Sequence, residues 1–416
     1  MNVVYLKHAT ISDGRRRVKM EAERIEAAVS KAADYINRLT IDSEVNVPEK
    51  VLNSTKLFFT WDNEKRAPGG KDFLYDYSYY NGVVMEGLYD IYEAEPEKGK
   101  AYYDYVKSYL DGLMEQKEDG SWQLNFERSG YVDCHGADCY KTAALFERFS
   151  RGQDAYGEIT DTLYRHLTDE NYVNSLGHTP CLENMPKELG HNYWHGWRGA
   201  PMYKIWLDGI YMLQPFLSHH AARIGDRRQL ELAQERLDWV AETLLSPNGM
   251  YYHAGNGKED VCRFFWTRAM GWYGMAMVDI MEVLPEEYLE KRKAALKLFV
   301  DGMLKYQDAD GIWANLADKP ATDTNRPESS GTAMMSYIIL KGVRKGWLDE
   351  SYREAGIRAF VGLTEKKLDE SGLRDIYLKA AANGTNNYED TRYYLTDEGK
   401  GSGPFIMAYS EMLYLD

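Results

Sequence analysis

Along most of the chain apolar residues recur every third or fourth position, and runs that alternate apolar with polar are few. That spacing predicts helices. Two kinds of helix separate by how far round the apolar positions extend. In "IWLDGIYMLQPFLSHHAARIG" (from Ile205) or "TRAMGWYGMAMVDIMEVLP" (from Thr267) they occupy nearly every face. In "RRQLELAQERLDWVAETLL" (from Arg227) and "EEYLEKRKAALKLFVDGMLKYQ" (from Glu286) they form one stripe. A helix apolar all round must be enclosed, whereas an amphipathic one covers it.

The enclosed type recurs. Short polar, glycine-bearing stretches open apolar helices at "YDYSYYNGVVMEGLYDIYEA" (from Tyr75), "CHGADCYKTAALFERFSRG" (from Cys134), Ile205, Thr267, "SSGTAMMSYIILKGVRKGWLD" (from Ser329) and "GKGSGPFIMAYSEMLYLD" (from Gly399). With Tyr79, Asp138, Asp208, Arg268, Gly331 and Gly403 as markers, the intervals are about 60 to 70 residues, room for two helices and their connections. Six hairpins, each with a buried inner helix and an amphipathic outer one, describe an all-α (α/α)6 barrel; an open solenoid is the alternative. Residues 1–45 read as a leading helical segment packing on a barrel of residues 46–416, and "RIEAAVSKAADYINRL" (from Arg24) could serve as the first outer helix. In such a barrel the six inner-helix starts converge at one end, so function is sought there. Glycine at a start admits close approach of backbone or ligand, or simply marks a loop.

Asp208 stands out because a carboxylate is costly among Trp206, Tyr211, Met212 and Phe216 unless it has partners. It reads as a general acid/base, or as an acidic residue favouring a helix start. Asp138, or Asp133 nearby, would supply a second carboxylate, and two carboxylates facing one another keep a proton available near neutral pH. Cys134, His135, Asp138 and Cys139 could in principle bind a metal, but their spacing matches no usual zinc pattern. Arg268 and Trp272 lie four apart on one helical face; together with Trp266 they suit a sugar ring bearing a carboxylate, or form a buried cation–π pair. His195 and Arg198, in a loop that could wall a pocket, and Tyr79 and His253, near a helix start and a loop, complete the candidate substrate contacts.

A net charge of -15 argues against a nucleic-acid partner. No Walker-type loop, G-x-S-x-G elbow or G-x-G-x-x-G fingerprint appears, so no cofactor is expected. The N-terminus has no stretch of signal-peptide character and no run is apolar for a membrane span. With only four cysteines, this leads to the expectation of a soluble, cytoplasmic protein. Thirty-three tyrosines and ten tryptophans exceed what a core of this size needs, and such rings serve as platforms for sugars. Whether the protein is a monomer or a homo-oligomer stays open.

From about Trp61 to the C-terminus, "IWLDGIYMLQPFL", "FFWTRAMGWYGMAMVDIMEVLP", "ESSGTAMMSYIILKGVRKGWLD" and "GKGSGPFIMAYSEML" resemble, in order, segments of glycoside hydrolase family 105, the unsaturated rhamnogalacturonyl hydrolases. The resemblance implies an (α/α)6 barrel that removes a terminal 4,5-unsaturated galacturonyl residue from a rhamnose-bearing oligosaccharide by hydrating its double bond. It implies Asp208 as the acid that protonates C4 and helps water add at C5, Asp138 as its second carboxylate, and Tyr79, His253, Trp266, Arg268 and Trp272 as substrate contacts. Where relatives often carry His-Lys ten residues before the catalytic Asp, this chain has Trp197 and Arg198, with His195 two positions earlier. That departure leaves the linked sugar open, including ulvan-type glucuronyl substrates. An inverting glycosidase for a saturated sugar, a sugar epimerase and a non-enzymatic carbohydrate-binding toroid are the competing readings.

Overall fold

The computed structural model describes residues 3–40, 79–125, 141–168, 205–255, 261–378 and 388–415. Twelve α-helices lie among them: α1 (Val3–Leu39), α2 (Tyr79–Ala94), α3 (Pro96–Leu113), α4 (Lys141–Phe149), α5 (Ala155–Thr168), α6 (Leu207–Ile224), α7 (Arg227–Leu244), α8 (Thr267–Met281), α9 (Glu286–Leu304), α10 (Ser329–Arg344), α11 (Arg353–Lys366) and α12 (Gly399–Met412). Helices α2, α4, α6, α8, α10 and α12 pack each on the next, and α12 returns to α2. The ring is closed, which rules out the open solenoid. Its members are the helices apolar on every face: all of α8 and α12 is buried.

Helices α3, α5, α7, α9 and α11 each cover the inner helix that precedes them. The sixth outer place is taken by α1, which packs on α11 and α12. Its anchoring is specific. Arg24 makes a two-pronged ion pair with Glu365 at 2.6 and 2.7 Å, Lys31 donates to the carbonyls of Thr364 and Leu368 at 2.7 and 2.6 Å, and the Tyr35 hydroxyl donates to Asp397 at 2.7 Å. The chain thus closes the outer ring with its first described helix.

The turn from α6 to α7 follows ordinary end chemistry. Gly225, in the left-handed region at φ 76°, ends α6, and Asp226 then accepts from the Gln229 amide at 3.0 Å to begin α7. Inner starts are tighter. A β-carbon on Gly331 would come within 2.8 Å of the Thr267 backbone, and one on Gly403 within 2.9 Å of the Val83 backbone. At these two starts the close approach that glycine permits is between neighbouring helices.

Short strands connect the helices: β1 (Met114–Gln116) with β2 (Trp122–Leu124), a three-stranded sheet of β3 (Ile205–Trp206), β4 (Ala254–Gly255) and β5 (Val261–Cys262), β6 (Leu368–Asp369) with β7 (Gly372–Leu373), and β8 (Ile376–Tyr377) with β9 (Tyr394–Leu395), all antiparallel. No helix among the described residues is long and apolar enough to cross a membrane.

Candidate active site

Ile205 and Trp206 are not the first turn of a helix, as their apolar character suggests, but a strand. Trp206 is extended (φ -110°, ψ 134°) and pairs with Ala254, so α6 begins at Leu207. Sheet pairing overrides the periodicity here, with a consequence for Asp208. The Leu207 amide donates to the His253 carbonyl at 3.2 Å, and the His253 amide to the Phe264 carbonyl at 3.0 Å. The backbone of β3 to β5 therefore sets His253 directly beside the first turn of α6.

Side chains complete the contact. His253 Nε2 lies 3.1 Å from Asp208 Oδ2, and Nδ1 lies 2.7 Å from the Tyr388 hydroxyl, which in turn is 3.2 Å from Cys262 Sγ. His253 is 2% exposed, whereas about one-fifth (21%) of the Asp208 side chain faces outward. Burial by itself would lower the imidazole's pKa; the Asp208 carboxylate, joined by Cys262, outweighs it, and His253 is pushed up to about 9. Near neutral pH the imidazole is protonated and donates to Asp208. This is the partner that a carboxylate in so apolar a stretch requires.

The rings of Trp206 and Trp266 flank His253, with centroids 5.9 and 5.0 Å away. Trp266 is held by its Nε1–H, which donates to Asn315 at 2.8 Å, and the Asn315 amide donates to the Tyr388 carbonyl at 2.7 Å. Phe264 packs on Tyr388 at 4.6 Å, and Lys319 Nζ lies 5.5 Å from the centroid of the Phe264 ring. A carboxylate–imidazolium pair, open on the carboxylate side and backed by aromatic rings, can move a proton to and from a bound substrate while shielding it from bulk water.

Arg268 and Trp272 do not form the pair that their four-residue spacing suggests. The guanidinium lies 4.3 Å from the ring centroid of Trp266, while Trp272 stacks on Tyr211 at 5.0 Å, in the middle of the barrel. Behind Tyr211 sits Lys141, 3.8 Å from its ring centroid and ion-paired with Glu86. Arg268 is 1% exposed; it donates to the carbonyls of Tyr377 and Leu378 and to Ser330 at 3.3 Å, and faces Glu328 at 3.9 Å. Glu328 in turn caps α10, accepting from the Gly331 amide at 2.8 Å. Inner helices turn on a circle, so two residues on one helical face meet different neighbours when one sits at the helix end and the other a turn deeper.

Tyr79 is the first residue of α2 and is half-buried. Asp138, Asp133, His195 and Arg198 lie outside the described residues, as do Cys134, His135 and Cys139. Among the described residues no group of His, Cys, Asp or Glu is placed to hold a metal ion. Tyr388, Asn315 and Cys262 carry no signal of a site in the sequence: Tyr388 stands in a polar loop without period, 135 residues from the histidine it touches.

Residues 44–415 match the family model described as Glycosyl Hydrolase Family 88. Protein Atu3128 of Agrobacterium fabrum is 32% identical over 229 residues, 48% of this chain and 98% of that protein. The unsaturated 3S-rhamnoglycuronyl hydrolase of an Alteromonas species (strain LOR) is 25% identical over 221 residues, 50% of this chain and 51% of that one. Among solved structures, a family 105 glycoside hydrolase of C. acetobutylicum superimposes with a TM-score of 0.67 at 24% identity, covering 88% of this chain and 98% of the other.

Proposed function

The chain belongs to glycosyl hydrolase family 88 and is a glycoside hydrolase, and from that premise we propose that it removes a terminal 4,5-unsaturated uronate from an oligosaccharide by hydrating the C4=C5 bond, with Asp208 as general acid and base. The observation that carries this reading is the Asp208–His253 contact at the partly open start of α6. An enol ether needs one proton delivered to C4 and one removed from water, and a single carboxylate with a proton-holding partner serves both steps.

The pair holds one proton. Substrate binding excludes water and brings in a uronate charge, both of which favour moving that proton from the imidazole onto the carboxylate. Asp208 passes it to C4, the cation at C5 is stabilised by the ring oxygen, and the Asp208 carboxylate accepts a proton as water adds to C5. The hemiketal opens to a ketone at C5, and the hemiacetal left at C1 releases the linked sugar as an alcohol. Atoms balance with one water consumed, and the steps pass through no covalent enzyme intermediate. Asp138 is assigned the second carboxylate, binding sugar hydroxyls, and Tyr79, His195, Arg198, Trp266, Arg268 and Trp272 the surrounding of the uronate. Trp272 is 1% exposed and stacks on the buried Tyr211, so it supports that surrounding from within the core.

Galacturonyl on rhamnose, as in rhamnogalacturonan fragments, is the substrate we assign, acted on in the cytoplasm. Likeness to a hydrolase named for rhamnoglycuronyl substrates favours a rhamnose neighbour and makes unsaturated glucuronyl-rhamnose the second substrate to try. The test is to incubate the protein with each unsaturated disaccharide and follow the ultraviolet absorbance of the double bond. Loss of absorbance with release of rhamnose, abolished in Asp208→Asn, is the expected result. A flat trace with both substrates overturns the assignment.

A further inference from the structure

Two buried groups behind His253 are not used by the hydration chemistry: the hydroxyl of Tyr388 and the thiol of Cys262. We propose that Tyr388, backed by Cys262, is a positioning residue that keeps a hydrogen on His253 Nδ1, so that Nε2 is the nitrogen that exchanges its proton with Asp208. The inference rests on the reading of Asp208 and His253 as the acid–base pair.

The geometry gives the chain of contacts a direction. When the imidazole is protonated, both nitrogens are donors. Nε2–H points to Asp208 Oδ2 at 3.1 Å, so Nδ1–H is left to the Tyr388 oxygen at 2.7 Å. Tyr388 O–H then needs an acceptor of its own, and Cys262 Sγ stands 3.2 Å away. All three groups are enclosed: His253 is 2% exposed, and Tyr388 and Cys262 are fully buried. A hydroxyl placed there without an acceptor would be costly. Two anchors fix Tyr388: the Asn315 amide donating to its carbonyl at 2.7 Å and the Phe264 ring 4.6 Å from its own. Burial, joined by the neighbouring Cys262, raises the phenol's pKa, so Tyr388 stays protonated throughout and acts only as a relay of orientation.

With this arrangement the proton crosses between Nε2 and Oδ2 while the hydrogens on Nδ1 and Tyr388 stay where they are. No dipole behind the imidazole has to turn, which is the form of preorganisation that lowers a barrier. The titratable groups facing His253 among the described residues are Asp208 from α6, Cys262 from β5 and Tyr388. The two flanking indoles carry no charge, and Arg268 lies against Trp266.

The experiment compares wild-type protein with Tyr388→Phe, Cys262→Ala and Cys262→Ser, reading kcat and KM against pH and, separately, the nitrogen resonances of the His253 ring through a pH titration. Tyr388→Phe is expected to lower kcat about tenfold, as removal of an orienting partner of a working histidine does, with KM held within about twofold. It also moves the alkaline limb of the kcat profile and the imidazole midpoint down together by about one pH unit, because the charged ring loses the acceptor for Nδ1–H. Cys262→Ala shifts the same two quantities by less, and Cys262→Ser restores them by offering a hydroxyl oxygen. Should Tyr388→Phe not fold, the alanine and serine pair at Cys262 decides the matter by the same readouts. Unchanged alkaline limb and imidazole midpoint in the folded variants overturn the proposal. The resonance titration needs no turnover: if wild-type protein leaves the unsaturated sugars untouched while the midpoint moves in Tyr388→Phe, the hydration reading fails and the positioning of His253 stands.

Discussion

The two ends of the barrel treat charge in opposite ways. At the end where the inner helices start, carboxylates cap them, Glu328 on α10 and Glu398 on α12, and the Asp208–His253 pair sits with its carboxylate partly open. At the end where they finish, a cavity of about 390 Å³ is ringed by cations and acids. There every named cation is engaged. Lys341 donates to Asp279 at 2.8 Å and Glu282 at 3.0 Å, Lys345 pairs with Glu282 at 2.7 Å, Arg344 makes a two-pronged contact with Glu411, and Arg148 meets Asp90 and Glu93 at 2.6 Å each. Although burial opposes it, Lys341 and Lys345 hold Glu282 far below the usual carboxylate range. Cations near helix C-termini offset the negative ends of the dipoles, as acidic caps offset the positive ends. The same rule operates at both mouths; at the far mouth cations and acids form an extended network in which burial pushes Asp90 up to about 7, while at the near mouth an imidazolium meets the Asp208 carboxylate. Charge density alone therefore does not mark the site; what sets the near mouth apart is that its cation is an imidazolium, which gives up a proton far more readily than the lysine and arginine cations of the far mouth.

Substitutions can break this contrast. The largest effect is expected for Asp208→Asn, with turnover down by about 10²- to 10⁴-fold in a variant that still folds and loses no more stability than the pair contributes; an unfolded or fully active variant would contradict the division of labour between the ends. Lys341→Met acts on the other mouth. It leaves the buried Asp279 without its cation, while Glu282 keeps Lys345, and is expected to cost about 3–5 kcal/mol in urea unfolding, with kcat/KM unchanged wherever the variant is folded. A change in kcat/KM at full folding would show that the two ends are coupled.

Stability should also depend on pH through the open pair. His253 is raised from 6.5 to about 9 in the folded protein, so its contribution is fully present below pH 6.5 and disappears as pH rises through 9. The window spans at most roughly 3 kcal/mol, and Asp208→Asn should flatten that slope in urea titrations at stepped pH. The smallest effect sharpens the role of Arg268. Arg268→Lys, which gives up the forked donors to Tyr377 and Leu378, should lose about 1–3 kcal/mol of stability. Should KM for the unsaturated disaccharide rise more than about tenfold with stability intact, the guanidinium would be a substrate contact first and a strut second.

How far the site could be read from the chain varies residue by residue. Asp208 announces itself, since a lone carboxylate in an apolar helix is a cost with no local remedy. His253 is visible as a polar residue near a helix start, but its raised pKa follows from a contact 45 residues away. Tyr388, Asn315 and Cys262 are invisible, because loops carry no periodicity and their contacts span up to 135 residues. The pairing of Arg268 with Trp272 fails for a related reason: helical spacing tells which side chains share a face, and says nothing about which neighbour that face meets.

Local rules were enough for the architecture. Apolar positions at a 3.6-residue period, extending round six helices and confined to a stripe on the others, determine which helices must be inside, and that count closes a six-hairpin ring. The start of α6 at Leu207, the contact of Asp208 with His253, the charge network of the far mouth and the tyrosine behind the imidazole were decided only by tertiary structure. They depend on hydrogen bonds between segments that approach each other only after the barrel closes, when burial makes each unpaired polar group costly enough to choose its partner.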